Sequence, residues 1–323
     1  MKIYYVRHNT NGQNSLELVD IPTPTPGPDE VLVRHTAIGV NFLDYEYLRG
    51  SMKSSANPLT PGIEAVGVIE KIGSNVKNLE IGQRVGYTSV LSGAYAEFRC
   101  IKPRFLFPIH ESIEDEAAAL NLLKGMSAHY LMRRTFYLRE GMTILIHGAA
   151  SNLGKLMIRF ARELKVKIIG TVGSHAKKEI IEDLGVDLAL NYSDDNMPFE
   201  VRNFTKNKGV HVMYDLIGGS LIKDTLRCLM PFGLAVSVGN ASSKSHPISP
   251  TILSKKSLFL TSPRIQNYKR DPTELLLSVI EVFGLIEAGS FPRKADTIYS
   301  FCEIPKALED VASRDSKSKV ILL

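Results

Sequence analysis

Apolar residues between positions 30 and 90 fall in short, β-branched, partly alternating runs: "EVLVRHTAIGVN" (30–41), "AVGVIEKIG" (65–73) and "GQRVGYT" (82–88). The stretches between them, "TPTPGPDE" and "GSNVKNLEIG", are rich in turn formers. This pattern predicts an irregular, mostly antiparallel β domain. At residue 112 the period lengthens: "SIEDEAAALNLLKGMSAHYLMRR" opens on a Ser112-x-x-Asp115 capping pattern and continues with helical spacing. From 142 on, strand and helix patterns alternate. "MTILIHG", "VKIIGTV", "VDLALNY", "GVHVMYDLIG", "GLAVSVGN" and "KSLFLTSP" read as strands, and "LGKLMIRFARELK", "AKKEIIEDLG" and "SLIKDTLRCLM" as the helices between them, Gly185 closing the second. Such a series predicts a doubly wound parallel sheet. After it come two further helical patterns, "DPTELLLSVIEVFGLIEAG" and "IPKALEDVASRD", and a terminal strand, "KVILL". The simplest architecture returns this tail to the β domain, so that residues 1–122 and 265–323 form one domain and residues 123–264 an α/β domain inserted into it.

A chain of 323 residues has room for two such domains, each with its own core. With 44% hydrophobic and 23% charged residues it has the profile of an ordinary globular protein. Net charge is +5, but the basic residues are scattered and the densest groups are pairs such as Arg133-Arg134 and Lys177-Lys178, so no nucleic-acid footprint is expected. Cys100, Cys228 and Cys302 lie far apart without metal-ligand spacing, which argues against a disulfide framework or a structural zinc and suits a reducing cytoplasm. The N-terminal residues lack the apolar core of a signal peptide, and no run approaches the ~20 apolar residues of a membrane span. A cytoplasmic protein without a membrane partner is the expectation.

Between the strand "MTILIHG" and the helix that follows lies "AASNLG" (149–154). Of the three glycines in a dinucleotide fingerprint only the third, Gly154, is present; Ala149 and Ser151 fill the other places. The strand-turn-helix context still makes the turn a natural anion site, since the first N–H groups of the helix have no partner inside it. An NAD site would carry an acidic residue at the end of the second strand to bind the ribose 2′-hydroxyl; "TVGSHAKK" has Gly173 and Ser174 there, with Lys177 following. A hydroxyl and an ammonium suit a 2′-phosphate, so the expected cofactor is NADPH. Read alone, Lys177 and Lys178 are also ordinary solvated helix residues.

"GVNFLDYEYLRG", "PGIEAVGVIEKIGSNVKNLEIGQRV", "GAYAEF", "AALNLLKGMSAHYL", "GTVGSHAKK" and "VSVGNAS" together resemble the quinone oxidoreductases, the zeta-crystallin-like, zinc-free branch of the medium-chain dehydrogenase/reductase superfamily. The resemblance runs the length of the chain in order. It implies a Rossmann domain inserted into a GroES-like domain, a cleft between them, and NADPH-dependent reduction of a small-molecule quinone or enone without a metal. It also implies a homodimer formed through the edge strand 257–263. Cofactor contacts implied in the first domain are Asn41 and Arg314. In the second they are Lys124, Ala150, Asn152, Leu153, Gly173, Ser174 and Lys177, followed by Tyr192, Val238, Gly239 and Asn240. Ser174, Lys177, Tyr192 and Arg314 would hold the 2′-phosphate. Asn41 and Asp44 would orient the nicotinamide and water, with Tyr45 or Tyr47 near the acceptor oxygen. Asp44 suits a plain helix cap equally well. Zinc-dependent relatives carry a histidine where this chain has Ile63.

The chain departs from the family pattern at Ser151 and Asn152, where glycines are usual, at Glu46 and Met52 in the substrate region, and at Ser262. Two other readings stay open: reduction of 2-alkenals or enoyl thioesters on the same scaffold, and a non-catalytic protein that binds NADPH or RNA.

Overall fold

The computed structural model describes residues 1–8, 14–51, 58–88, 92–193, 195–219, 222–239, 248–268, 271–313 and 317–323. Asn240, Arg314 and Met52 lie outside them. The chain divides into two compact units, Met1–Met126 with Val279–Leu323, and Ser127–Ser278.

In chain order the elements are β1 (Lys2–His8), β2 (Asn14–Asp20), β3 (Val31–Gly39), α1 (Phe42–Leu48), β4 (Glu64–Ile72), β5 (Arg84–Thr88), β6 (Phe98–Ile101) and β7 (Leu106–Pro108). Next come α2 (Asp115–His129), β8 (Thr143–His147), α3 (Asn152–Glu163), β9 (Lys167–Val172), α4 (His175–Asp183), β10 (Leu188–Asn191), α5 (Met197–Phe204) and β11 (Val210–Asp215). They are followed by α6 (Ile222–Cys228), β12 (Leu229–Ser237), α7 (Thr251–Ser254), β13 (Phe259–Thr261), α8 (Ile265–Tyr268), α9 (Pro272–Glu287), β14 (Thr297–Ser300), α10 (Ile304–Ala312) and β15 (Lys319–Leu322).

The first unit is built on the sheet β14-β15-β3-β4-β5-β7, with β1 and β2 paired separately. Its pairings are antiparallel except β14 with β15. One edge of β3 takes β6 along Val31–Arg34 and β15 along Ala37–Gly39, so the C-terminal tail does return to this sheet. That double cover explains why β3 is apolar almost throughout: seven of its nine residues are buried. Val31, Val33, Ile38, Ala65, Val85 and Ile321 meet in the core beneath it.

The helix after the β domain starts at Asp115, not at Ser112. The predicted cap is not formed because both of its members are taken elsewhere. The Asp115 carboxylate accepts from the Arg84 guanidinium and from the Thr36 hydroxyl at 2.6 Å, and Ser112 donates to Glu287.

The second unit holds a six-stranded sheet in the order β10-β9-β8-β11-β12-β13, all parallel. Counted within the unit this is 3-2-1-4-5-6, the order of a dinucleotide-binding sheet. The order reverses between β8 and β11, so the carboxyl ends of those strands, His147 and Asp215, mark the switch point where such sheets bind ligands. On α3 the face formed by Leu156, Met157, Phe160 and Ala161 is buried, as its amphipathic spacing requires. α6 ends two residues before its sequence pattern does, because Leu229 already pairs with Val210 of β11 and helical propensity yields to the ladder. The register of β12 on β11 then jumps to Leu234 opposite Val212, with Phe232 in the left-handed region at φ 62°.

Candidate active site

The turn after β8 begins with Gly148 at φ 74°, and the Gly148 and Ala149 N–H groups both donate to the Thr171 carbonyl at 3.1 Å. A Cβ on Gly154 would lie 2.6 Å from the carbonyl oxygens of Gly148 and of Ala149, so the helix packs on the turn at a distance only glycine permits. Ser151 caps α3: its hydroxyl oxygen accepts from the Gly154 N–H at 3.1 Å. The other first-turn N–H groups, that of Leu153 among them, have no acceptor inside the helix and face a position suited to an anion. Ala150 is buried in this turn. Across the switch point, Val238 and Gly239 donate to the Asp215 carbonyl at 2.9 and 3.1 Å, while the Asp215 side chain accepts from Ile217 and Gly218. A Cβ on Gly239 would lie 2.2 Å from the Leu216 carbonyl oxygen, so the two chains run backbone against backbone.

At the end of β9 the structure brings Gly173, Ser174 and Tyr192 together. The Tyr192 N–H donates to Val172, and the Tyr192 hydroxyl sits over Gly173, 2.4 Å from where a Cβ would be. Ser174 caps α4, its hydroxyl oxygen accepting from the Lys177 N–H at 3.4 Å. An accepting hydroxyl keeps its own proton free to donate, so the Ser174 cap can still serve a phosphate. Glycine at 173, two hydroxyls and the nearby Lys177 therefore fit a 2′-phosphate, and the Gly154 cradle fits the pyrophosphate.

In the first unit a second polar group is built around the start of α1. Asn41 is its N-cap residue, and its N–H donates to the Asp44 carboxylate at 2.9 Å. The Asn41 side-chain amide donates to Glu64 at 2.7 Å. The other Glu64 oxygen accepts from the Leu123 N–H at 2.7 Å, and the Lys124 ammonium lies 3.5 Å from the first. Tyr95 donates to Asp44 at 3.1 Å. Asp44 and Glu64 are completely buried and Lys124 is 9% exposed. Burial pushes the Asp44 carboxyl up to about 7; the Glu64 charge adds to this, while the Asn41 N–H, Tyr95 and Lys124 oppose it. Burial, then the Asp44 charge, raises the Tyr95 phenol well above its usual range. Asp44 Oδ1 and Lys124 Nζ are buried without a hydrogen-bond partner among the described residues, as expected where a ligand or water completes the group.

Asn41, Asp44 and Lys124 thus share one cluster. Tyr47 packs with Val6, Leu59 and Ile63, its phenol raised by burial and by Asp44. Ile63 is a core residue, and no three His, Cys, Asp or Glu side chains among the described residues are grouped as a metal would require. Tyr45 turns to the core under β3, 5.8 Å ring to ring from Phe42, with the Arg49 guanidinium at 5.9 Å. Glu46 is half-buried and 3.5 Å from Arg49. Two members of the cluster, Glu64 and Tyr95, escaped the sequence reading. Their signal was a lone carboxylate within the apolar run "PGIEAVGV" and a tyrosine between small residues in "GAYAEF". A charge in such a run is buried and must be paired.

Comparison with known proteins agrees with this anatomy. Residues 27–111 match the family described as alcohol dehydrogenase GroES-like domain, and residues 153–277 the zinc-binding dehydrogenase family. The chain is 36% identical over 313 residues to the quinone oxidoreductase of Pseudomonas aeruginosa, covering 97% of this chain and 96% of that one. It is 31% identical over 325 residues to a 2-haloacrylate reductase of a Burkholderia species, covering 98% of each. The crystal structure of Escherichia coli quinone oxidoreductase complexed with NADPH superposes with a TM-score of 0.92 at 31% identity, over 100% of this chain and 99% of the other. With one relative above a third identical across nearly its whole length, and both domain families in their expected order, the chain belongs to the quinone oxidoreductase family of the medium-chain dehydrogenase/reductase superfamily.

Proposed function

We propose that the protein is an NADPH-dependent quinone oxidoreductase that passes reducing equivalents to quinones without a metal. The observation that carries this reading is the end of β9, where an NAD site needs a carboxylate and this chain places Gly173 and Ser174 under the Tyr192 hydroxyl, with Lys177 one turn on. Likeness to quinone oxidoreductases over 97% of the chain supports the acceptor class. Ala150, Asn152, Leu153, Val238 and Gly239 are the further contacts we assign to the dinucleotide, with Asn240 and Arg314 assigned from sequence alone.

Bound NADPH supplies a hydride; the residues of this chain hold, orient and protonate. Asn41 and Lys124 orient what binds beside them. Asp44, with its carboxyl near 7, is part protonated at neutral pH and is hydrogen-bonded to Tyr95, so it can exchange a proton with the reduced oxygen. Tyr47, whose phenol responds to Asp44, is the better placed of the two α1 tyrosines to sense that proton. The edge strand β13 exposes Phe259 and Leu260, 59% and 38% accessible, and is the surface on which we place a homodimer contact.

The test is oxidation of NADPH and, in parallel, of NADH, with 1,4-benzoquinone and with a 2-alkenal, by wild type and Lys177→Ala. Quinone turnover with NADPH that is weakened in the variant supports the reading; equal use of NADH overturns the cofactor assignment. The likeness to a 2-haloacrylate reductase favours a second reading, reduction of an activated alkene, and faster turnover of the 2-alkenal than of the quinone would select it.

A further inference from the structure

Glu64 touches no proposed ligand, yet it organises the cluster that does. It is completely buried in the apolar strand β4, and both its oxygens are used: one by the Asn41 amide at 2.7 Å and by Lys124 at 3.5 Å, the other by the Leu123 N–H at 2.7 Å. The backbone makes room for it at Gly39, where a Cβ would come 2.3 Å from Glu64 Oε1 and 2.5 Å from the Ala119 carbonyl oxygen. A carboxylate can only accept, so the orientation of the Asn41 amide is dictated: its NH₂ faces Glu64, and the second hydrogen is directed to the Gly39 carbonyl at 3.5 Å. Lys124, by contrast, can only donate, and its ammonium has no hydrogen bond in the described structure beyond the 3.5 Å ion pair.

We propose that Glu64 is a positioning residue that sets the polarity of this cluster, consuming the donor side of Asn41 and anchoring Lys124, so that the pair offers a ligand the second lone pair of the Asn41 carbonyl, whose first faces the Asp44 N–H in the α1 capping box, beside an ammonium donor. The group complementary to that pair both donates and accepts, as a hydroxyl or a primary carboxamide does. This deepens the NADPH reading above and rests on it: such groups are found on the nicotinamide half of the molecule, while the adenosine half is met at Ser174, Lys177 and Tyr192.

The experiment measures two dissociation constants by titration, for NADPH and for 2′,5′-ADP, which carries the adenosine half alone, on wild type, Glu64→Gln, Asn41→Leu and the double variant, with thermal unfolding of each. The expected result is that Glu64→Gln weakens NADPH about tenfold and leaves 2′,5′-ADP within about twofold, and that the same change made on Asn41→Leu costs markedly less than on wild type. A Glu64→Gln protein that binds NADPH like wild type overturns the proposal, and so does equal weakening of both ligands, which is what a merely structural role would give. Should Glu64→Gln fail to fold, Glu64→Asp, which keeps the charge but draws it back by one methylene, carries the same comparison. Wild type that binds 2′,5′-ADP but not NADPH overturns the proposal while leaving the adenosine site standing; wild type that binds neither brings down the NADPH reading itself.

Discussion

In the parallel sheet, His147 lies between two threonines, its Nδ1 2.6 Å from the Thr171 hydroxyl and its Nε2 2.8 Å from that of Thr225. In the antiparallel unit, Glu64 and Asp44 are just as buried and Lys124 nearly so, but Asp44 Oδ1 and Lys124 Nζ have no hydrogen-bond partner among the described residues. Burial disfavours the charged form in both clusters, which moves the two pKa values in opposite directions: His147 is lowered to about 4 and stays neutral, whereas the Asp44 carboxyl is raised to about 7 and sits near its titration point. A neutral group that finds both partners inside the fold has been made into structure. A charged group left incomplete stays ready for a ligand or a proton, and the fold bears the cost.

That contrast can be broken by mutation. The largest effect is expected for Glu64→Leu, which leaves Lys124 buried without its counter-charge and strands the Asn41 and Leu123 donors. A loss of about 3–5 kcal/mol in thermal unfolding follows from breaking a buried pair on one side, and a loss below about 1 kcal/mol would show that the cluster is not electrostatically coupled.

Asp44→Asn tests the sign. Because the folded carboxyl titrates near 7 against an ordinary 3.8, its contribution to stability is intact below about pH 4 and is lost as the pH rises through 7. The variant should therefore match wild type in relative stability near pH 4 and gain on it by about 2–4 kcal/mol at pH 8. A difference that does not change with pH would refute the raised carboxyl.

His147→Leu should cost about 2 kcal/mol at pH 7, where it takes the imidazole away from two buried hydroxyls, and change NADPH affinity by less than about threefold. The sign on the acid side is opposite to that of Asp44. The neutral buried imidazole contributes fully above its usual 6.5 and is lost as the pH falls toward 4, so the deficit of the variant should shrink over that interval. A large loss of NADPH affinity at unchanged stability would move His147 from structure to site. The smallest effect is expected for Lys177→Ala, whose half-exposed charge is screened by solvent: about 1 kcal/mol or less, seen as a several-fold rise in the NADPH dissociation constant and none for NADH.

The two clusters also differ in how far they could be read from the sequence. The residues we assign to the adenosine end were legible because they are local: Gly173, Ser174 and Lys177 follow one strand in five residues, and Tyr192 comes directly after the next strand of the same β-α alternation. Ser151 was legible as a departure from the glycine pattern but not as the cap it turns out to be, since capping depends on where α3 begins. The Glu64 cluster joins residues 41, 44, 64, 95 and 123–124, and nothing in the spacing of those positions says that they meet. Residues 41 and 44 were reached only through resemblance.

By itself the sequence determined the strand-helix alternation and the parallel sheet of the middle third, and the absence of a carboxylate after its second strand. Each of these follows from periodicity or from chemistry within one turn of chain. Only the tertiary structure decided that β15 lies on β3, that Leu229 leaves its helix for the β11 ladder, that Asp115 gives up its cap to Arg84 and Thr36, and that Glu64 faces Asn41. In each of these cases a buried or half-buried polar or backbone group took a partner distant in sequence, because an unpaired group away from water costs more than a local preference can return.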